Sequence, residues 1–130
     1  PGRDVSLPGS SARRAAWRFG LRSEAVAVWF LRFKGYQILA RRFASPVGEI
    51  DIVAHRFKLL AFVEVKARRS KDLDLSAISD RQMRRIGRAA AAFVQARPAF
   101  ADHDLRFDAV LVGRGSWPRH CLDIWRPEPD

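Results

Sequence analysis

Two short acidic segments hold the residue types that hydrolytic chemistry needs: Gly48-Glu49-Ile50-Asp51 and Phe62-Val63-Glu64-Val65-Lys66. Each reads as part of a β-strand, and residues two apart on a strand share a face. An even-length loop between the strands puts Glu49 and Asp51 on the face that carries Glu64 and Lys66. An odd loop or a bulge would separate them. The same face bears Leu60 and Phe62, so the charges stand at the end of an otherwise buried strand. Two carboxylates ~4 Å apart repel by about 4 kcal/mol at an effective dielectric of 20. A cation between them removes that repulsion. Lys66 supplies one fixed positive charge, and an all-oxygen donor set suits Mg²⁺ or Mn²⁺. A metal held this way lowers the pKa of water and polarises a phosphoryl oxygen, and a nearby lysine can orient or deprotonate that water. The competing account is a Glu64–Lys66 pair at a sheet edge, stabilising the hairpin by less than about 1 kcal/mol. The preceding acidic strand, the apolar run and the basic background favour the metal site.

Positioning these groups requires a hairpin, a third strand and helices to cover them. Ser23 as N-cap and Glu24 in the first turn predict a helix over Glu24–Lys34, with Val26, Trp29, Phe30 and Phe33 as its buried stripe. Strands are expected over Tyr36–Phe43, Gly48–His55 and Lys58–Ala67, with Ser45-Pro46 and Arg56-Phe57 as the turns. Leu59–Val63 is apolar on both faces, which marks a central strand. Arg68–Ser76 reads as a polar loop. Ser79 and Gln82 form a capping box, and the helix they open runs to about Ala96, before Pro98, with Met83, Ile86, Ala90, Phe93 and Val94 buried. Strands over Leu105–Val112 and His120–Trp125, joined by a turn at Gly113–Ser116, complete an α/β domain: a central mixed five-stranded sheet flanked by helices. We expect a flexible basic N-terminal arm over residues 1–20, one domain over 21–126 and a tail over 127–130.

Asp51 followed by Glu64-Val65-Lys66 resembles the core signature of the restriction-endonuclease-like PD-(D/E)xK superfamily. The ordered set Glu24-Ala25, Gly35-Tyr36, Gly48-Glu49-Ile50-Asp51, Phe62-Val63-Glu64-Val65-Lys66 and Arg106-Phe107-Asp108 resembles, more narrowly, the YraN family of endonuclease-like bacterial proteins, similar to Holliday-junction resolvases. The resemblance covers about Gly20 to Trp125. It implies a restriction-endonuclease-like sheet, Asp51 and Glu64 as metal ligands with the Val65 carbonyl as a further one, and Lys66 as the catalytic cation. It also implies Glu24 as a helix-borne acid reaching the same site, a role that competes with simple satisfaction of the helix dipole. Glu49 is either accessory or rim charge. Two departures bear on substrate preference: the loop from Arg68 to Ser76 lacks a Gly, and Arg81 stands where a Lys is common.

Arg81, Arg84, Arg85 and Arg88 recur on one helix face with no acidic partners interleaved, and with Arg68 and Arg69 they form the expected phosphate-binding row. Gln82 either caps its helix or reaches the acidic residues. Arg106 and Asp108 are expected to form a buried ion pair. Trp17, Trp117 and Trp125 fit core or edge packing better than base stacking.

The chain has 130 residues, with 24 Lys and Arg against 14 Asp and Glu. That balance attracts polyanions, and Arg suits bidentate phosphate contact. The single Cys121 excludes an internal disulfide framework, and His55, His103 and His120 stand scattered, without zinc spacing. No apolar run approaches the ~20 residues of a spanning helix. There is no Gly-rich phosphate loop, Ser/His/Asp arrangement or dinucleotide fingerprint. The expectation is a cytoplasmic, Mg²⁺- or Mn²⁺-dependent endonuclease with nucleic acid as partner, DNA before RNA, no membrane, and a possible homodimer. The alternative is a nucleic-acid-binding module that keeps the fold without cleaving.

Overall fold

The computed structural model describes residues 22–68, 75, 78–113 and 115–128, with Arg68 by its backbone alone. The expected arm over 1–20, Arg69 and most of the Arg68–Ser76 loop lie outside the described residues. Helical residues 22–33 (α1) precede three strands, β1 (Gln37–Ser45), β2 (Gly48–Arg56) and β3 (Leu59–Arg68). Helix α2 (Asp80–Gln95), a 3₁₀ turn over Pro98–Phe100, β4 (Asp104–Gly113) and β5 (Arg119–Trp125) follow. The sheet has five strands in the order β1-β2-β3-β4-β5. Only the β3–β4 pair is parallel, because α2 carries the chain back across the sheet between them; the other pairs are antiparallel. The α/β class and the mixed five-stranded sheet flanked by helices are as the sequence predicts, and this is the arrangement of a restriction-endonuclease-like domain.

The central strand is β3, where Leu60, Ala61, Phe62 and Val63 are fully buried. One face packs Ala61 and Val63, with Ile52, Ala54 and Val110, under Ala27, Val28 and Leu31 of α1. The other packs Leu60 and Phe62, with Val53 and Phe107, under Met83, Ile86, Ala89, Ala90 and Phe93 of α2. Ser79 caps α2 by accepting from the Gln82 backbone N–H at 3.0 Å.

Several local expectations are corrected. Phe57 and Lys58, not Arg56 and Phe57, form the β2–β3 turn; the loop length stays even. Ser23 already lies within α1 and is buried, so it is not the N-cap. The stripe of α1 is the larger error. Val26, Trp29 and Phe33 are exposed, at 40%, 69% and 89%, while the smaller Ala27, Val28 and Leu31 meet the sheet. Short side chains let the helix backbone approach the strands, and the bulky residues turn outward. There they meet Trp117, itself 84% exposed, and Pro118 along an apolar groove. Arg84 pairs with Asp80 one helical turn earlier, so the basic row does contain an acidic partner.

The three histidines are not solitary either. His120 bridges Lys34 and Asp108, at 2.6 and 2.8 Å, and His55 stands 3.2 Å from His103. Asp108 is wholly buried on the α1 side, as the expected ion pair requires. Arg106 Nε and Nη2 each donate to it at 2.8 Å, and the Asp123 N–H adds a further bond at 3.0 Å. Burial pushes the Asp108 carboxyl up, but the hydrogen bonds from His120 and Arg106 outweigh it and hold the pKa below the usual value.

Candidate active site

The two-residue turn Phe57–Lys58 fixes the hairpin register, pairing His55 with Leu60 and Val53 with Phe62. Continued upward, that parity brings Asp51 and Glu64 to one face. The ladder itself stops at Ile52↔Val63. Beyond it β2 leaves β3, and the Asp51 carboxylate takes the place of a backbone acceptor, receiving the Val65 N–H at 2.8 Å. Ile52 packs on the α1 side and Ile50 on the α2 side, so strict alternation breaks at Asp51. Across the β1–β2 ladder, Arg42 lies between the pairs Arg41↔Ile52 and Phe43↔Ile50 with φ at +53°. A non-glycine residue in this region is strained by roughly 1–3 kcal/mol and is held there by its surroundings.

Glu24 is part of those surroundings. Its carboxylate accepts from Arg41 at 3.1 and 3.2 Å and from Arg42 at 3.1 Å. It is buried beneath these two arginines and does not line the cleft that holds Asp51 and Glu64. Glu24 thus stands behind the backbone distortion opposite Asp51.

The cleft, about 200 Å³, is lined by Glu49, Asp51, Glu64, Gln82, Arg85 and Ile86. Gly48 explains how β2 closes onto α2: a Cβ there would lie 2.4 Å from the Arg85 carbonyl oxygen. Only glycine permits that approach. Glu64 is 6% exposed, accepts from the Gln82 side-chain amide and has Lys66 Nζ at 3.2 Å. Burial, then the charge of Asp51 and a hydrogen bond with it, push the Glu64 carboxyl up to about 8, against a smaller lowering by Lys66. The two carboxyl groups therefore share one cleft, near enough for the charge of one to oppose ionisation of the other.

Of the predicted residues, the structure brings together Asp51, Glu64, Lys66, Gln82, Glu49 and Arg85. It leaves Arg81, Arg84 and Arg88 exposed on α2 outside the cleft lining. Ser79 accepts from the Gln82 backbone N–H, but the Gln82 side chain turns to Glu64 instead of back to the cap, so only half of the predicted capping box forms. Sequence reasoning missed Arg41 and Arg42, for which two adjacent arginines opposite an acidic strand were the only signal.

Among the described residues, no group of three or more His, Cys, Asp or Glu is disposed to hold a metal. Mg²⁺ commonly takes one or two carboxylates and retains several waters. Two carboxyls lining one cleft, one of them resisting ionisation beside the other, form a donor set that fits such a cation.

The family profile described as "Uncharacterised protein family UPF0102" matches residues 23–112. A UPF0102 protein of Parvibaculum lavamentivorans is 54% identical over 113 residues, covering 87% of this chain and 85% of that one. Two from Rhodopseudomonas palustris are similar: strain BisB18 at 55% over 117 residues (90% and 87% covered) and strain BisB5 at 51% over 127 residues (98% and 97%). With its motifs and nearly its whole length accounted for, the chain belongs to the UPF0102 family, the YraN family that its motifs resemble.

Proposed function

We propose that the chain is a metal-dependent endonuclease that hydrolyses phosphodiester bonds in DNA and selects its substrate by structure. The observation that carries this reading is the convergence of Asp51 and Glu64 in one cleft that also holds Gln82 and Arg85, with Lys66 on Glu64. Asp51, Glu64 and the Val65 carbonyl would hold Mg²⁺ or Mn²⁺, which when bound supplies charge neutralisation at phosphorus and a more acidic water.

The chain's own residues do the rest. Asp51 is oriented by the Val65 N–H, and Glu64 by the Gln82 amide, so neither carboxylate needs to reorganise. Lys66 Nζ, positioned through Glu64, orients the attacking water and carries positive charge toward the phosphoryl group. Arg85 meets a non-bridging phosphate oxygen at the cleft wall, and the exposed Arg81 and Arg88 extend that contact along the backbone. Among the described residues no base-reading element accompanies these contacts, which leaves the geometry of the DNA to be recognised. Arg68 and Arg69 belong to the same proposed row by sequence position.

A second copy of the chain is the proposed occupant of the α1 groove. Val26, Trp29, Phe33 and Trp117 together expose roughly 600 Å² of mainly apolar surface, a large patch for a monomer. Two such faces would bury about 1,200 Å², at the lower bound of stable interfaces.

The test is incubation with single-stranded, duplex and branched DNA, with and without Mg²⁺ or Mn²⁺, beside an Asp51→Asn, Glu64→Gln double variant. Metal-dependent cleavage absent from the variant supports the reading and identifies the preferred structure. Binding without cleavage, equal in both proteins, would favour the non-catalytic binding module.

A further inference from the structure

At the hairpin end of the sheet, far from the acidic cleft, two imidazoles converge. His55, near the end of β2, and His103, just before β4, are 48 positions apart in the chain, yet their Nε2 atoms lie 3.2 Å from each other. His103 Nδ1 contacts Asp102 Oδ1 at 2.9 Å, and Lys58 Nζ donates to the other Asp102 oxygen at 2.8 Å. The Phe100 ring stands edge-on to both imidazoles, at 5.6 Å from His55 and 5.1 Å from His103. His103 is largely covered, its side chain 12% exposed, and His55 is partly buried.

Each feature matches what a metal-binding histidine needs. A carboxylate on Nδ1 fixes the tautomer with its proton there and leaves the Nε2 lone pair free, the outer contact typical of metal-ligating histidines. Two nitrogens bound to one tetrahedral zinc at 2.0–2.1 Å stand about 3.3 Å apart. The observed spacing agrees with that, although a shared proton between two imidazoles is compatible with it too. Lys58 pairs with Asp102 at the surface, Asp102 contacts His103, and Phe100 packs edge-on against both rings. Imidazole donors favour borderline ions, whereas the oxygen donors of the cleft favour Mg²⁺. His55 and Asp51 are four residues apart on β2, roughly 13 Å along the strand.

We propose that His55 and His103 form a second metal site, selective for a borderline transition-metal ion of the Zn²⁺ class and separate from the acidic cleft. Both imidazoles bind through Nε2, with the ring proton of each carried on Nδ1, where Asp102 accepts that of His103. Among the described residues no third His, Cys, Asp or Glu joins them, so water completes the coordination. The site does not depend on the nuclease reading.

Calorimetric titration of the whole protein with Zn²⁺, in excess Mg²⁺, tests it. Wild type binds Zn²⁺ at submillimolar concentration, and His55→Gln or His103→Gln removes that binding. Asp102→Asn, which leaves both imidazoles in place and weakens the acceptor at His103 Nδ1, lowers the affinity by about 10–100-fold. Asp51→Asn leaves it unchanged, which separates this site from the cleft. If a histidine variant fails to fold, Zn²⁺ protection of the two imidazoles from diethyl pyrocarbonate in the unaltered protein reads the same interaction. Absence of submillimolar binding, or equal affinity in His103→Gln, overturns the proposal and leaves a hydrogen bond shared between two imidazoles.

Discussion

Raising the pH from 5 to 8 in the absence of divalent metal should destabilise this protein, and Glu64 is the cause. In the unfolded chain its carboxyl titrates near the ordinary value of 4.5; in the folded chain burial beside Asp51 moves it to about 8. Between those values the folded state holds a proton that the unfolded state has released, so stability is full below the lower value and is lost as pH rises through the upper one. At 1.36 kcal/mol per unit, that displacement amounts to at most about 5 kcal/mol, comparable with the whole stability of a marginal domain. Asp108 acts in the opposite sense, but its pKa is lowered from 3.8, so its window lies below pH 4. Urea unfolding followed by tryptophan fluorescence at constant ionic strength measures the slope. Glu64→Gln, which keeps the shape and loses the proton, should flatten the slope and exceed wild type at pH 8. Saturating Mg²⁺ at pH 8 should restore wild type by about 2.7 kcal/mol at a hundredfold excess over Kd. A wild-type stability that is flat or rising from pH 5 to 8, or an equal slope in Glu64→Gln, would refute the reasoning.

Other perturbations test neighbouring parts of the account. Asp108→Asn leaves Arg106 facing a neutral partner within the sheet and should cost about 3–5 kcal/mol in urea unfolding. Replacing Arg85 or Arg88 by Ala should weaken DNA binding for all sequences and reduce the logarithmic salt slope by about 0.9 for each phosphate left without its arginine. A Trp29→Ala, Phe33→Ala variant should sediment as a monomer at concentrations where wild type is a dimer. Its unfolding free energy measured on the monomer should change by no more than about 0.5 kcal/mol per site, because neither side chain is buried in the fold.

The convergence of Asp51 and Glu64 was legible in the sequence because strand parity has only two outcomes, and the even turn at Phe57–Lys58 selected one. The apolar run Leu59–Val63 likewise announced a strand covered on both faces. The orientation of α1 was not legible, because it is apolar on both sides and size alone does not say which side meets the sheet. Close approach to the strands favoured Ala27, Val28 and Leu31 over Trp29 and Phe33. The broken alternation at Asp51 and the positive φ of Arg42 arise from the β1–β2 hairpin bending onto α2, a tertiary effect with no local signature beyond Gly48. Glu24 illustrates the same limit. Its helix position was apparent, but its capture by Arg41 and Arg42 depends on that bend. His55 and His103 meet only because the β2–β3 turn and the segment entering β4 reach the same end of the sheet.

The most direct measurement combines Mn²⁺ binding and DNA cleavage on the same samples, with free Mn²⁺ followed by electron paramagnetic resonance and a labelled branched DNA as substrate. The account predicts that wild type binds Mn²⁺ in the acidic cleft and cleaves, and that Glu64→Gln loses both together while remaining folded. Cleavage that persists in Glu64→Gln, or Mn²⁺ bound by wild type and Glu64→Gln alike with neither cleaving, would contradict it.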